Sequence, residues 1–112
     1  MAFRSTQPIE GTLDKSATFT VQEIALGNAS SFGVLFVVGS GATVTFTLEG
    51  GSYYNGAAEW VDISGGVTLS GLTANARVDF QPGQFNGTHI RVACTSHDAG
   101  AAVSVWLDRV EP

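Results

Sequence analysis

Lysine is almost missing from this chain: Lys15 is the single one among 112 residues, and five Lys plus Arg stand against ten Asp plus Glu for a formal charge of −5. A protein that grips nucleic acid neutralises phosphates with clustered cations, and an acidic chain with a single lysine is a poor candidate for that. Nucleic-acid binding is excluded on that ground. Cysteine is as scarce: Cys94 stands alone, so no disulfide can close within one chain. Charged residues make up 13%, about half of the usual ~25%. The chain is nonetheless 44% hydrophobic, too apolar to stay disordered. Long apolar runs are missing too. The longest aliphatic and aromatic stretch, Val34-Leu35-Phe36-Val37-Val38, is far below the ~20 residues that cross a bilayer as a helix. The first eight residues, Met1 to Pro8, lack the apolar segment of a secretion signal, so the expectation is a protein made in a reducing cytoplasm with no membrane partner.

What is present is alternation of period two. Val44, Phe46 and Leu48 alternate with Thr43, Thr45 and Thr47, a half-buried strand; Gly33 to Val38 is apolar throughout, as a central strand is. Phe19 and Val21 lie in one phase and Ile24 and Leu26 in the other, which places a bulge near Gln22-Glu23. Further strands are expected at Glu59 to Ile63, Val67 to Leu72, Ala76 to Phe80, His89 to Cys94 and Ala102 to Val110. Glycine-rich clusters separate them, including Gly39-Ser40-Gly41, Gly50 to Gly56 and Ser64-Gly65-Gly66. No amphipathic helix pattern occurs. About seven or eight short strands at such spacing predict an all-β, single-domain antiparallel β-sandwich or jelly roll over residues 17–112. Residues 1–16 lack sustained alternation and read as an extended arm with a short edge strand around Ile9 to Leu13. Such an arm either frays or reaches onto a neighbouring subunit. Its apolar anchors Phe3, Ile9 and Leu13 favour the second.

Chemistry is thinly represented. His89 points away from the face carrying Ile90, Val92 and Cys94, so it cannot pair locally with the cysteine, which reads as a small buried hydrophobe. Ser96-His97-Asp98 places three catalytic residue types in one turn, where they cannot face one another as a triad. No Cys-x-x-Cys, His-x-x-x-His or acidic calcium loop occurs, leaving only loop residues such as Asp62 and Asn55 as donors for a calcium ion. The expectation is no enzyme, no metal and no cofactor. The aromatics are more informative. Tyr53 and Tyr54 fall in a loop before Trp60, and Trp106 lies on the face of its strand opposite Val103, Val105 and Leu107. Three uses stay open: a core Trp60 with a tyrosine lid, a subunit interface, or a stacking platform for sugar rings built from Tyr53, Tyr54 and Trp106.

The stretch Val44-Thr45-Phe46-Thr47-Leu48-Glu49-Gly50, the Gly/Ser/Tyr/Asn loop after it and Trp60-Val61-Asp62-Ile63 resemble small virion proteins of tailed bacteriophages. So do His89-Ile90-Arg91-Val92 and the valine-alternating strand Ala102 to Leu107. The resemblance spans about residues 33 to 109 and implies a capsid decoration, or cement, protein. It implies assembly as a homo-oligomer, commonly a trimer, and binding to the major capsid protein on the virion. Phe3, Ile9, Leu13, Tyr53, Tyr54 and Trp106 are then the interface candidates. The other reading is a carbohydrate-binding sandwich that takes a surface glycan on the same aromatics.

Overall fold

The computed structural model describes residues 3–27, 29, 31–54, 57–81, 87–98 and 100–111, with the backbone alone for Phe3, Tyr53, Tyr54, Ala57, Ala58 and Glu111. Eight strands form among them: β1 (Phe3–Pro8), β2 (Phe19–Ala25), β3 (Ser31–Val38), β4 (Val44–Tyr54), β5 (Ala57–Asp62), β6 (Ala76–Phe80), β7 (His89–His97) and β8 (Val103–Glu111). They pair antiparallel in two four-stranded sheets, β1-β8-β3-β6 and β2-β7-β4-β5. Each sheet draws strands from both halves of the chain, the interleaved order of a jelly roll. The fold is an all-β, single-domain sandwich.

Alternation becomes a core because each strand turns one row inward. Val34 and Phe36 of β3, Val105 and Leu107 of β8, Phe46 and Leu48 of β4, and Ile90, Val92 and Cys94 of β7 are all at most 3% exposed. Phe36 and Phe46, one from each sheet, meet with ring centroids 4.8 Å apart and tilted 41°. The β2 bulge lies between Phe19 and Gln22, slightly earlier than the sequence places it.

Three expectations change. The expected strand Val67 to Leu72 is not one. Gly65 and Gly71 both adopt positive φ, and the segment meets β4 through a Val44–Leu72 bridge, Phe46 N–H donating to Leu69 O at 2.9 Å and Gly71 N–H donating to Thr45 Oγ1 at 3.0 Å, without a continuous ladder. Gly50 to Tyr54, expected in a turn, continues β4 in register with β5, Gly51 opposite Trp60 and Tyr53 opposite Ala58. The physical reason is that Gly51 leaves room: a Cβ there would collide with Glu59 O and lie 2.9 Å from Trp60 Cε3. Third, the edge strand near the N-terminus is Phe3–Pro8, not Ile9 to Leu13, and it pairs with β8 from Phe3↔Glu111 to Pro8↔Trp106. Past Pro8 the chain stays on β8. Ile9 N–H donates to Val105 O at 2.9 Å, and Lys15 bridges Val103. Ile9 and Thr12 are 0% exposed, and the Thr12 hydroxyl donates to Ile9 O at 2.6 Å while accepting from Val105 N–H at 3.2 Å. Residues 3–16, read from sequence as an arm, therefore run along the chain's own sheet.

Candidate functional site

Strand register decides which side chains share the outer faces. On the β1-β8-β3-β6 sheet, Pro8, Trp106, Leu35 and Arg77 are directly opposite one another across four strands. Pro8, Trp106 and Leu35 are half-buried, as is Val37 two residues along. Trp106 Nε1–H donates to Ser104 Oγ at 2.9 Å, which satisfies the indole and orients its ring along the face.

The neighbouring row is ionic. Asp108 of β8, 6% exposed, accepts from Arg4 Nε at 3.1 Å and Nη2 at 2.5 Å, from Thr6 Oγ1 at 3.2 Å and from Arg77 Nη2 at 2.9 Å. Arg77 also holds Asp79 at 2.7 Å. The Arg4 hydrogen bond, aided by Arg77 and Thr6 against the cost of burial, brings the Asp108 carboxyl down to about 2. Two guanidinium groups and two carboxylates thus leave this face without net charge.

The opposite sheet differs. Glu23, Arg91, Glu49 and Asp62 form one cross-strand row, and Arg91 Nε donates to Glu49 Oε1 at 2.9 Å. The same guanidinium sits 4.5 Å from the Trp60 ring centroid, a cation–π contact. Next to this row Thr47, Glu49, Asp62, Ser64 and Ser70 border a recess of about 380 Å³ floored by Phe46, Leu48 and Leu69. Asp62 Oδ1 accepts from Ser64 N–H at 2.8 Å and from its hydroxyl at 2.7 Å, which lowers the carboxyl below its ordinary value.

The interface candidates scatter. Trp106 faces outward as its strand phase requires. Leu13 is 44% exposed. Ile9 is spent in the chain's own core and has no surface to offer a neighbour. Phe3 takes a backbone position opposite Glu111, and Tyr53 and Tyr54 take positions opposite Ala58 and Ala57; their side chains lie outside the described residues, as does Asn55. Trp60, left open between core and surface, is half-buried on an outer face. No local sequence pattern announces the ionic row around Asp108, which the β1–β8, β3–β8 and β3–β6 pairings assemble.

The residues with catalytic chemistry are otherwise engaged. His97, its side chain 0% exposed, lies 3.2 Å from Lys15 O through Nε2, and a carbonyl only accepts, so Nε2 carries the proton. It braces the N-terminal segment. Asp98 accepts from Thr43 N–H at 3.1 Å and Gly100 N–H at 3.1 Å. Burial pushes the Cys94 thiol up, the opposite of what a nucleophile needs. Among the described residues no three His, Cys, Asp or Glu side chains gather to hold a metal, and no helix is long and apolar enough to cross a membrane.

No family model matches the chain, and a search of curated proteins finds no match. Among solved structures, the chain is similar to chitosan-binding module 1 derived from the chitosanase/glucanase of Paenibacillus sp. IK-5, with a TM-score of 0.47 and 14% identity over 98% of this chain and 94% of that one.

Proposed function

We propose that this protein is a non-enzymatic structural subunit of a phage particle, a decoration protein that binds the capsid shell and other copies of itself. The observation that carries the reading is the row Pro8–Trp106–Leu35 on an outer sheet face, bordered by Arg4, Asp108 and Arg77. A tryptophan among aliphatics with arginines at the rim is the composition of a protein-contact surface. The resemblance of residues 33 to 109 to small virion proteins supplies the setting. The test is co-sedimentation with shells of the phage that encodes it, and imaging of those shells with and without the protein. Regular added density, lost with Trp106→Ser, is expected; shells that never retain the protein would sink the reading.

A second reading, a glycan-binding sandwich, is favoured by one observation on the other sheet. Trp60 is held by Arg91 beside Glu49, Asp62 and the hydroxyl-lined recess. An aromatic next to carboxylates and hydroxyls can stack on a sugar ring and hydrogen-bond its edge. Titration of a glycan panel against tryptophan fluorescence tests it, with Trp60→Ala as the loss-of-binding control. No change with any glycan removes it.

A further inference from the structure

The geometry points to a two-fold dimer in which the β1-β8-β3-β6 faces of two copies meet with their strands parallel to the symmetry axis. This rests on the reading of that face as a protein-contact surface and names its occupant, a second copy of this chain. The argument is charge and symmetry. The face is neutral as a whole, and on its β6 edge Asp79 already pairs with Arg77 at 2.7 Å, so the two edges differ in which charge stands the more exposed. Arg4, 68% exposed, marks the β1 edge, and Asp79, 54% exposed, marks the β6 edge. Because its guanidinium is drawn onto Asp108, Arg4 reaches the row that holds Asp108, Gly33 and Asp79.

A two-fold axis lying between the faces along the strands carries β1 of one copy over β6 of the other, and β8 over β3. Arg4 then comes over the partner's Asp79 and Trp106 over the partner's Leu35, each contact made twice, as an isologous interface requires. A two-fold across the strands would set β1 on β1 and β6 on β6, so Arg4 would never meet the partner's Asp79, and charge pairing selects the first arrangement. The other sheet fits less well: the same two-fold would set Glu23 over the partner's Asp62, a like-charge contact made twice, on a row of three carboxylates with one arginine. Four strands at ~4.8 Å spacing make a small face, so the association belongs to the weak end of specific interfaces.

Sedimentation velocity of the intact protein over roughly 1–200 µM tests the proposal, in the micromolar range such an area allows. A monomer–dimer equilibrium is expected, with Trp106→Ser raising Kd at least about tenfold while the circular dichroism and cooperative melt persist. The decisive arm uses Arg4→Glu and Asp79→Lys in separate chains. Each variant alone repels its own copy at both charge contacts. A mixture of the two regains a dimer, because the introduced carboxylate faces the introduced ammonium at one contact, while the unaltered Asp79 and Arg4 meet at the other. Should Arg4→Glu fail to fold through loss of its Asp108 bond, Asp79→Lys and Trp106→Ser alone must each weaken the dimer. A wild-type protein that stays monomeric, sediments as a trimer, or dimerises equally well with Trp106→Ser overturns the inference. A monomer whose shell binding is lost with Trp106→Ser assigns the face to the shell, overturning the dimer while the structural reading stands.

Discussion

Arg77 reaches Asp108 by crossing directly over Gly33, the one position on the intervening strand where a side chain would stand in its path. A Cβ on Gly33 would lie 2.6 Å from Arg77 Nη2 and collide with Asp79 Oδ1. Both are ends of movable side chains, so Gly33→Ala can be accommodated by releasing the link. Elsewhere in a strand, alanine in place of glycine gains about 0.5–1 kcal/mol. Here the lost charged hydrogen bond outweighs that gain, and a net destabilisation of about 1 kcal/mol is expected. A double-mutant cycle by urea melts checks it: in an Arg77→Ala background, Gly33→Ala should become neutral or stabilising.

Asp108 is the hub of the ionic row, and its removal leaves Arg4, Thr6 and Arg77 without their common acceptor. Asp108→Asn should cost about 2–4 kcal/mol and lower Tm by roughly 10 °C or more. The pH dependence has a definite sign. The carboxyl sits at about 2 in the folded chain, below the ~3.9 of an unfolded aspartate. Its contribution is therefore complete above the unfolded value and is lost as pH falls through about 4 toward 2. Urea melts at pH 7, 4, 3 and 2 should show a steep late loss in the wild type and a shallower one in Asp108→Asn.

Much of the sandwich is legible in the sequence because burial and strand period are local properties. Thr43 to Leu48 announces β4, and the phase of Val103, Val105 and Leu107 places Trp106 outward without knowledge of its neighbours. What escapes the sequence depends on pairing between distant segments. Gly50 and Gly51 carry a turn signal, and only the Trp60 ring across the hairpin reveals them as strand. Arg4 and Asp108 are brought together because β1 joins β8, the first strand and the last, a pairing that neither segment encodes alone.

Cys94 should be inert in the folded protein. It is 1% exposed, burial pushes its thiol up, and its Sγ–H donates to Ser96 O at 3.4 Å. Thiolate is the reactive form, so a buried and raised thiol is protected twice. Native protein at pH 8 should show no labelling by iodoacetamide on a timescale that fully labels the urea-unfolded chain, as read by intact mass. Rapid native labelling would contradict the burial.

Gly51→Ala should damage the hairpin that presents Trp60. The added methyl would collide with Glu59 O, and that oxygen is backbone, which cannot swing aside as Arg77 can at Gly33. The β4–β5 ladder must open to admit it. A destabilisation of about 2 kcal/mol or more is expected, alongside altered tryptophan emission as Trp60 leaves Arg91. An unchanged melt and spectrum would show that the ring is not held over the glycine.

The N-terminal segment gives the sharpest contrast between an arm and a strand. An arm that serves only neighbouring subunits can be removed without harm to the monomer. Here residues 3–8 complete a sheet, Ile9 fills the core at 0% exposure, and Thr12, also buried, ties Ile9 to Val105. Ile9→Ala alone should cost about 2–5 kcal/mol, since the cavity opens beside Val105 in the packed interior. A chain beginning at Ala17 loses that side chain, β1 and the Lys15–Val103 bridge together, and it leaves the β8 edge unpaired and open to strand addition by other molecules. It should melt far below the full chain or fail to fold cooperatively, and aggregate at concentrations where the full chain does not. A truncated protein with the melting temperature of the intact one would restore the arm.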